Sequence, residues 1–405
     1  MTPATKTWLM RFIKLVVCCC ALWYLSGKVS LNNYVRLRDA PEVRHLLVVE
    51  DQESVTIRDA DDGQEHDVPR DQLAEPGQLE RGQRSIEYGL RYIVVRIEWS
   101  WALWAFLAVA PAAFVMAWRL RILLKTQNIF VSFRDATLLT FAGNFFNFAL
   151  PGTTGGDFYK AYHIAKQTHK RTEGVTIVFL DRVIGLISFL LLAAGAVFAS
   201  WHTDIIGPYG RWVGYLTGVL IIGSCVFFSN RLRRWIRYER LLEKLPFGDL
   251  LRRVDETAFS FRYHPKATIL ALAGTILLHF VVSLSLYCLA RGLGVEPSAG
   301  RTWADLYLAC LLCFVVGYLF AAIPISVQGF GLLEAVFYKI LVDGEWTTAS
   351  VMLALSLGIR IIQIIWALPG VAVPWFGFKR PTKGLAERDI SIAEGAKMDE
   401  HGAGG

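Results

Sequence analysis

Residues 134–162 read RDATLLTFAGNFFNFALPGTTGGDFYKAY, and residues 302–335 read TWADLYLACLLCFVVGYLFAAIPISVQGFGLLEA. Each is an apolar run that stops at a proline, Pro151 or Pro324, with glycines close behind. Proline removes a backbone donor and clashes with the preceding turn, so neither run continues through hydrocarbon as one regular helix. The two stretches also agree in the order of their parts. Each has an aspartate near its start (Asp135, Asp305), a glycine about two turns before the proline (Gly143, Gly317) and glycines after it (Gly155 and Gly156; Gly329 and Gly331). An acid then opens the returning arm, Asp157 or Glu334. An arginine follows in the next apolar run: Arg182 comes 25 residues after Asp157, and Arg360 comes 26 residues after Glu334.

The surrounding chain is of the same character. Of its 405 residues 54% are hydrophobic and only 19% charged, and the mean hydropathy is +0.39, outside the range of soluble globular domains. A soluble enzyme, a coiled coil, a collagen-like chain and a disordered chain are excluded. A bilayer crossing needs about 20 apolar residues. Six runs qualify, at 8–27, 97–118, 176–201, 212–229, 267–290 and 348–376. The first carries Lys6, Arg11 and Lys14 and is short in its apolar heart, as in a signal peptide, but no small-residue cleavage pattern follows closely, so an uncleaved anchor is expected. Residues 28–98 form the long polar insertion, with fifteen acids against ten bases. Period-two alternation around Val48, Val55, Ile57 and Val68, with a turn at 61–63, predicts a small antiparallel β module. The expected division is an anchor at 1–38, a β-rich extracytoplasmic insertion at 39–96, a transmembrane domain at 97–376 and a cytoplasmic tail at 377–405.

Charge placement predicts orientation. Residues 231–266 hold ten bases against five acids, and bases also cluster at 6–14, 119–134, 160–171 and 379–383. Cytoplasmic loops carry the excess of Lys and Arg, so these segments and both termini are expected inside and the acidic insertion outside. Both flanks of 136–159 are then inside and both flanks of 304–342 outside. The fold expected is an all-α polytopic membrane protein: six full spans plus two oppositely oriented re-entrant hairpins, an inverted repeat. In transporters built that way, interrupted segments at corresponding positions mark a substrate site near mid-membrane. Gly/Pro-rich loops that look alike by chance are the competing explanation, and the arginine spacing favours the repeat.

A charged residue at bilayer depth costs about 2.5–3.5 kcal/mol on insertion scales and faces protein or water. Asp181 and Arg182 form either an adjacent ion pair that stabilises packing or part of a site. Arg360 has no acid in its own run, which leaves Glu334, Asp157 or an anionic substrate group as partners. The glycines after each proline allow backbone amides to face a cavity, and a helix beginning there presents its positive end to phosphate. Asn144 and Asn147 share a helix face and can donate there, as can Ser326 and Gln328 in the second stretch; ordinary interhelical hydrogen bonding is the alternative for all four. His279 lies within a span, where a packing role is expected. The cysteines all lie in apolar runs and are expected as packing residues, with no disulfide, metal or cofactor.

PGTTGGDFYKAY followed by a run beginning FLDRVIGL, together with PISVQGFGLLEA followed by a run containing Arg360, resembles the flippase-like family that includes the transmembrane region of lysylphosphatidylglycerol synthases. The resemblance covers roughly 6–38 and 97–376. It implies a multi-pass protein of the bacterial inner membrane, in a family whose best understood members move an aminoacylated phospholipid between leaflets. It places Gly155, Gly156, Asp157, Arg182, Pro324, Gly329, Gly331, Glu334 and Arg360 at motif positions. Lys160 stands where the family often has Arg, keeping the charge without the planar fork. Bifunctional members continue into a soluble aminoacyltransferase domain, whereas this sequence ends at Gly405, so the expectation is a non-enzyme. The 39–96 module is not a feature of the resemblance.

The leading expectation is a flippase or transporter for an anionic or zwitterionic phospholipid or a polyprenyl-phosphate-linked glycan, working by alternating access. Arg182 and Arg360 would guide phosphate, and Asp157 and Glu334 would balance charge. The alternatives are a membrane-embedded transferase on a lipid-linked substrate and a non-transporting envelope-assembly partner. The partners expected are the lipid substrate, anionic headgroups at 231–266 and a protein at the 39–96 module, with no nucleic acid.

Overall fold

A computed structural model describes residues 29–373 except 52, 59–63, 76–77, 80–83, 150–154, 169–170, 200–214, 216–217, 219–263, 298–299 and 323–328. The expected span 8–27, all of 212–229 but Tyr215 and Gly218, the 61–63 turn, nearly all of the basic 231–266 segment and the 377–405 tail lie outside the described residues. The chain is mostly helical, as an all-α polytopic membrane protein requires. Five described segments are long and apolar enough to cross a membrane: Trp99–Lys125, Arg171–Ala199, Pro265–Gly292, Trp303–Ala321 and Ala349–Val371. Four of these coincide with expected spans. The fifth, Trp303–Ala321, is the stretch expected as the first arm of a re-entrant hairpin.

The polar insertion is a five-stranded antiparallel sheet of order β4-β3-β2-β1-β5, from β1 (Tyr34–Leu37), β2 (Ala40–Glu50), β3 (Ser54–Arg58), β4 (Glu65–Pro69) and β5 (Ile86–Glu87). It therefore begins before the boundary expected at residue 39. Val35, Leu47, Val55, Ile57 and Val68 form its core. The expected alternation is correct for the last three and off by one in β2. Val48 is exposed, because a bulge between Leu47 and Val49 shifts which side chains point inward.

The first span is two helices, α2 (Trp99–Val109) and α3 (Pro111–Lys125), preceded by a short α1 (Leu90–Val95). Pro111 supplies no amide, so the ladder breaks, and neighbouring helices bond the carbonyls beside the break. The Trp366 indole donates to the Phe106 carbonyl at 3.0 Å, and the Ser285 hydroxyl donates to the Ala105 carbonyl at 2.6 Å. The remaining helices are α4 (Phe133–Ala149), α5 (Gly155–Gln167), α6 (Arg171–Ala199), α7 (Pro265–Gly292), α8 (Trp303–Ala321), α9 (Leu332–Phe337), which passes into a π turn at Tyr338–Val342, and α10 (Ala349–Ala367).

Two pairs of these helices double back at the proline-broken stretches, although Pro151 and Pro324 themselves lie outside the described residues. In the first pair Gly156 of α5 lies against the Gly143 backbone of α4, so close that a Cβ on Gly156 would collide with the Gly143 carbonyl. Asn147 accepts a 2.8 Å hydrogen bond from the Gly156 amide, and the Phe146 and Tyr159 rings stack at 4.5 Å. In the second pair Gly317 of α8 faces Leu333 and Phe337 of α9. Gly329 and Gly331 turn the chain with φ of 71° and 85°, a region that side chains disfavour.

The β module marks one end of the bundle. The hydroxyl of Ser350, at the start of α10, accepts from the Ser30 amide at 3.2 Å and donates to the Ser30 carbonyl at 3.4 Å, and Arg84 donates to the Trp346 carbonyl at 3.2 Å. Arg291, at the end of α7, is sandwiched between the Trp101 and Trp303 rings at 4.6 and 3.6 Å, an arrangement suited to a membrane–water boundary. At the far end α6 begins against Ile129 and Ile164 through Gly174, and Gly370, just beyond α10, abuts Phe141. Helices α6 and α10 therefore run in opposite directions.

The close approach of α4 and α5 is testable. Gly156→Ala is expected to reduce the yield of folded protein sharply in fluorescence-detected size exclusion, since backbone must move to admit the methyl. Gly195→Ala in α6, where a Cβ meets nothing within 4 Å, should be neutral or stabilise by about 0.5–1 kcal/mol through helix propensity.

Candidate functional site

Arg182 and Arg360 each lie about 16 Å along their helices at 1.5 Å per residue. Each is held by the acid that opens its preceding arm. The Arg182 Nη1 donates to Asp157 Oδ2 at 2.6 Å. The Arg360 Nε and Nη2 donate to Glu334 Oε1 at 3.1 and 2.9 Å, and its guanidinium lies 3.9 Å from the Phe330 ring centroid. Asp157 and Glu334 are both third residues of their helices, so the two pairs are built alike from helices of opposite direction.

Their surroundings differ. Glu334 is 1% exposed, and its carboxylate also accepts from the Ser356 hydroxyl and the Gly331 amide, both at 2.7 Å. Asp157 and Arg182 remain 27% and 23% exposed.

A third pair joins them. Arg119 of α3 grips both oxygens of Asp181 at 2.6 and 3.0 Å and donates to the Thr275 hydroxyl at 3.1 Å. The adjacent pair Asp181–Arg182 does not form: neighbouring residues on a helix point about 100° apart, and the two side chains take different partners.

These groups surround one cavity of about 390 Å³. Arg119, Asp157, Asp181, Arg182 and Arg360 line it, as do Asn144 and Asn147 from α4, with His279, Tyr318 and Gln363 on other walls. The remaining cation is Lys160. It is 3% exposed, lines the same cavity, and makes no hydrogen bond or ion pair among the described residues. Gly143 gives its stem the space to lie along α4. Among the expected motif glycines, the Gly156 amide is taken by Asn147 and the Gly331 amide by Glu334, while Gly155 begins α5. Gly329 serves the turn. Ser326 and Gln328 lie outside the described residues.

The family model for the lysylphosphatidylglycerol synthase transmembrane region matches residues 89–370. The chain belongs to this family. The match takes in both arginine–acid pairs and the whole cavity, and it places the chain among membrane proteins that act on lipids. It does not include the β strands or the 6–38 segment to which the resemblance extends. A comparison with curated proteins finds no significant match.

Two lining groups escape a reading from sequence. Arg119 follows the expected span end at 118 and reads as a flanking base, yet α3 continues to Lys125. The buried Leu120, Leu123 and Leu124 carry the apolar face past it, and that continued helical period is the available signal. His279, expected as a packing residue, stacks on Phe189 at 3.9 Å, and its buried Nδ1 has no hydrogen-bond partner among the described residues.

Breaking a buried ion pair costs about 3–5 kcal/mol, while replacing both partners by apolar groups is near neutral. Asp181→Leu alone should therefore lower the melting temperature strongly, and Arg119→Met with Asp181→Leu should recover most of the loss. Lys160→Met is expected to raise thermal stability without ligand, by about 1–3 kcal/mol, because it removes a cation that is 3% exposed and has no ion pair among the described residues.

Proposed function

We propose that this chain moves a lipid headgroup between leaflets through the cavity by alternating access. The observation that carries the reading is convergence: Lys160 and Arg182 from one doubled-back unit and Arg360 from the other reach one hollow among helices fit to cross a membrane. Two arginine–acid pairs at matching positions on oppositely directed helices support an inverted repeat, with α4–α5 and α8–α9 as re-entrant arms. One pair is partly wetted and the other sealed, as expected of a passage open on one side at a time. Basic clustering supports the α3–α4 connection facing the cytoplasm and the β module facing outward.

In this mechanism Lys160 attracts the headgroup phosphate, and Arg182 and Arg360 each exchange part of their carboxylate contact for phosphate as the headgroup passes. Each arginine keeps its acid nearby, so neither guanidinium is stranded after release. The acyl chains stay in the bilayer and need no protein passage.

The test is reconstitution of the full chain in liposomes with fluorescent phospholipid, followed by quenching of the outer leaflet. Arg182→Ala and Arg360→Ala should each slow translocation at least tenfold, a loss of about 1.4 kcal/mol or more in barrier terms. Unchanged rates in both variants would falsify the mechanism. Appearance of a covalently altered lipid would instead favour a transferase.

A further inference from the structure

We propose that the β module is a latch: it holds the turn between α9 and α10 closed, and its release lets water reach the sealed Arg360–Glu334 pair. The inference rests on the alternating-access reading and assigns the control of one of its two states. On the orientation proposed above, the latch lies on the outer side.

The module has a fixed base on the bundle. Its two connections cross where the Asn33 side chain accepts from the Gly89 amide at 2.8 Å and the Ser30 carbonyl accepts from the Leu90 amide at 2.9 Å. They pass so closely that a Cβ on Gly89 would overlap the Leu31 carbonyl. The Ser350 hydroxyl, bonded to both backbone groups of Ser30, fastens that base to α10, and Arg84 reaches from beside β5 to the Trp346 carbonyl. Both attachments end on one short segment, residues 346–350.

The turn they hold is not a relaxed one. Glu345 stands at φ 62°, a region that side chains disfavour, and the chain before it runs through the π turn at Tyr338–Val342, a form that occurs mostly as single turns at functional sites. Trp346 is fully buried with the Arg301 guanidinium 4.5 Å from its ring centroid, yet its Nε1 and the buried Thr348 hydroxyl have no hydrogen-bond partner among the described residues. A buried polar group without a partner is unfavourable, and water admitted by opening would satisfy both. The closed turn therefore depends on what grips it: Ser30 and Arg84 from the module side, and Arg301, which donates to the Gly344 carbonyl at 2.6 Å.

What lies deeper gives that grip its meaning. Glu334 is on α9, and Ser356 and Arg360, which bond to it, are on α10, so the sealed pair bridges the two helices that the turn joins. Spreading the turn parts those helices at the pair. The module thus grips the sealed unit, whereas the partly wetted Asp157–Arg182 pair belongs to α5 and α6. The grip is only a few hydrogen bonds strong, so it biases a near-even equilibrium without driving transport.

Hydrogen–deuterium exchange of the purified full chain in detergent reads the latch without any lipid movement. Arg84→Ala with Ser350→Ala should speed exchange about tenfold, as loss of a few hydrogen bonds of ordinary net strength allows, in peptides carrying Glu334 and Arg360 as well as in the turn, with α4 and α5 unchanged. Faster exchange confined to 343–350 would make the contact an anchor only and overturn the latch, as would no change. Ser30→Cys with Ser350→Cys supplies the opposite perturbation. Once loss of free thiol shows that copper phenanthroline has bridged the pair, fluorescent phospholipid in liposomes should cross about tenfold more slowly than after reduction with dithiothreitol, while the chain without these substitutions responds to neither reagent. Equal rates in the bridged and reduced samples overturn the latch with the passage intact. Absence of lipid movement in the unsubstituted chain overturns the passage, and the exchange measurement then decides the latch alone.

Discussion

A guanidinium in hydrocarbon needs a counter-charge, and that requirement organises this protein. Arg119, Arg182 and Arg360 draw Asp181, Asp157 and Glu334 from other helices, so each pair ties together parts of the chain that are distant in sequence. The Arg119–Asp181 pair joins α3 to α6 and, through Thr275, to α7. The Arg360–Glu334 pair joins α10 to the turn that opens α9. Lipid offers no hydrophobic force between helices, so such polar ties and the small-residue contacts between α4 and α5 hold the bundle in register.

The ties also explain why the cavity lies where it does. Charged side chains shun lipid, the helices bearing them turn those faces inward, and the ion pairs share the space between with apolar side chains such as Met116, Phe189 and Leu278. The break at Pro111 adds to it, since Val109, Ala110, Ala112 and Ala113 around that break line the same hollow. Small side chains there leave room that leucines would fill.

Sequence showed the architecture wherever physical chemistry acts locally. Apolar length revealed the helices fit to cross a membrane at α2–α3, α6, α7 and α10, and the order of acid, glycine and arginine singled out Asp157, Arg182, Glu334 and Arg360, with Glu334 among the candidate partners of Arg360 and the Asp157–Arg182 pair not foreseen. Partner choice was harder to read. Asp181 and Arg182 are neighbours in sequence and strangers in space, because helical rotation separates them, and the true partner of Asp181 lies 62 residues away. The register of β2 was misread at Val48 because a bulge inserts a residue without changing the composition around it. That Lys160 has no ion partner among the described residues could not be seen in one dimension at all: whether a cation has a partner depends on every element that packs near it.

The unequal wetting of the two arginine–acid pairs has an energetic corollary under the alternating-access reading. If the halves exchange roles, hydration lost by one pair is regained by the other, and the two extreme conformers differ little in free energy. A nearly degenerate pair of conformers needs no external power to interconvert. Net flux would then follow whichever leaflet is richer in cargo, and the protein would act as an equilibrator of bilayer asymmetry rather than a pump.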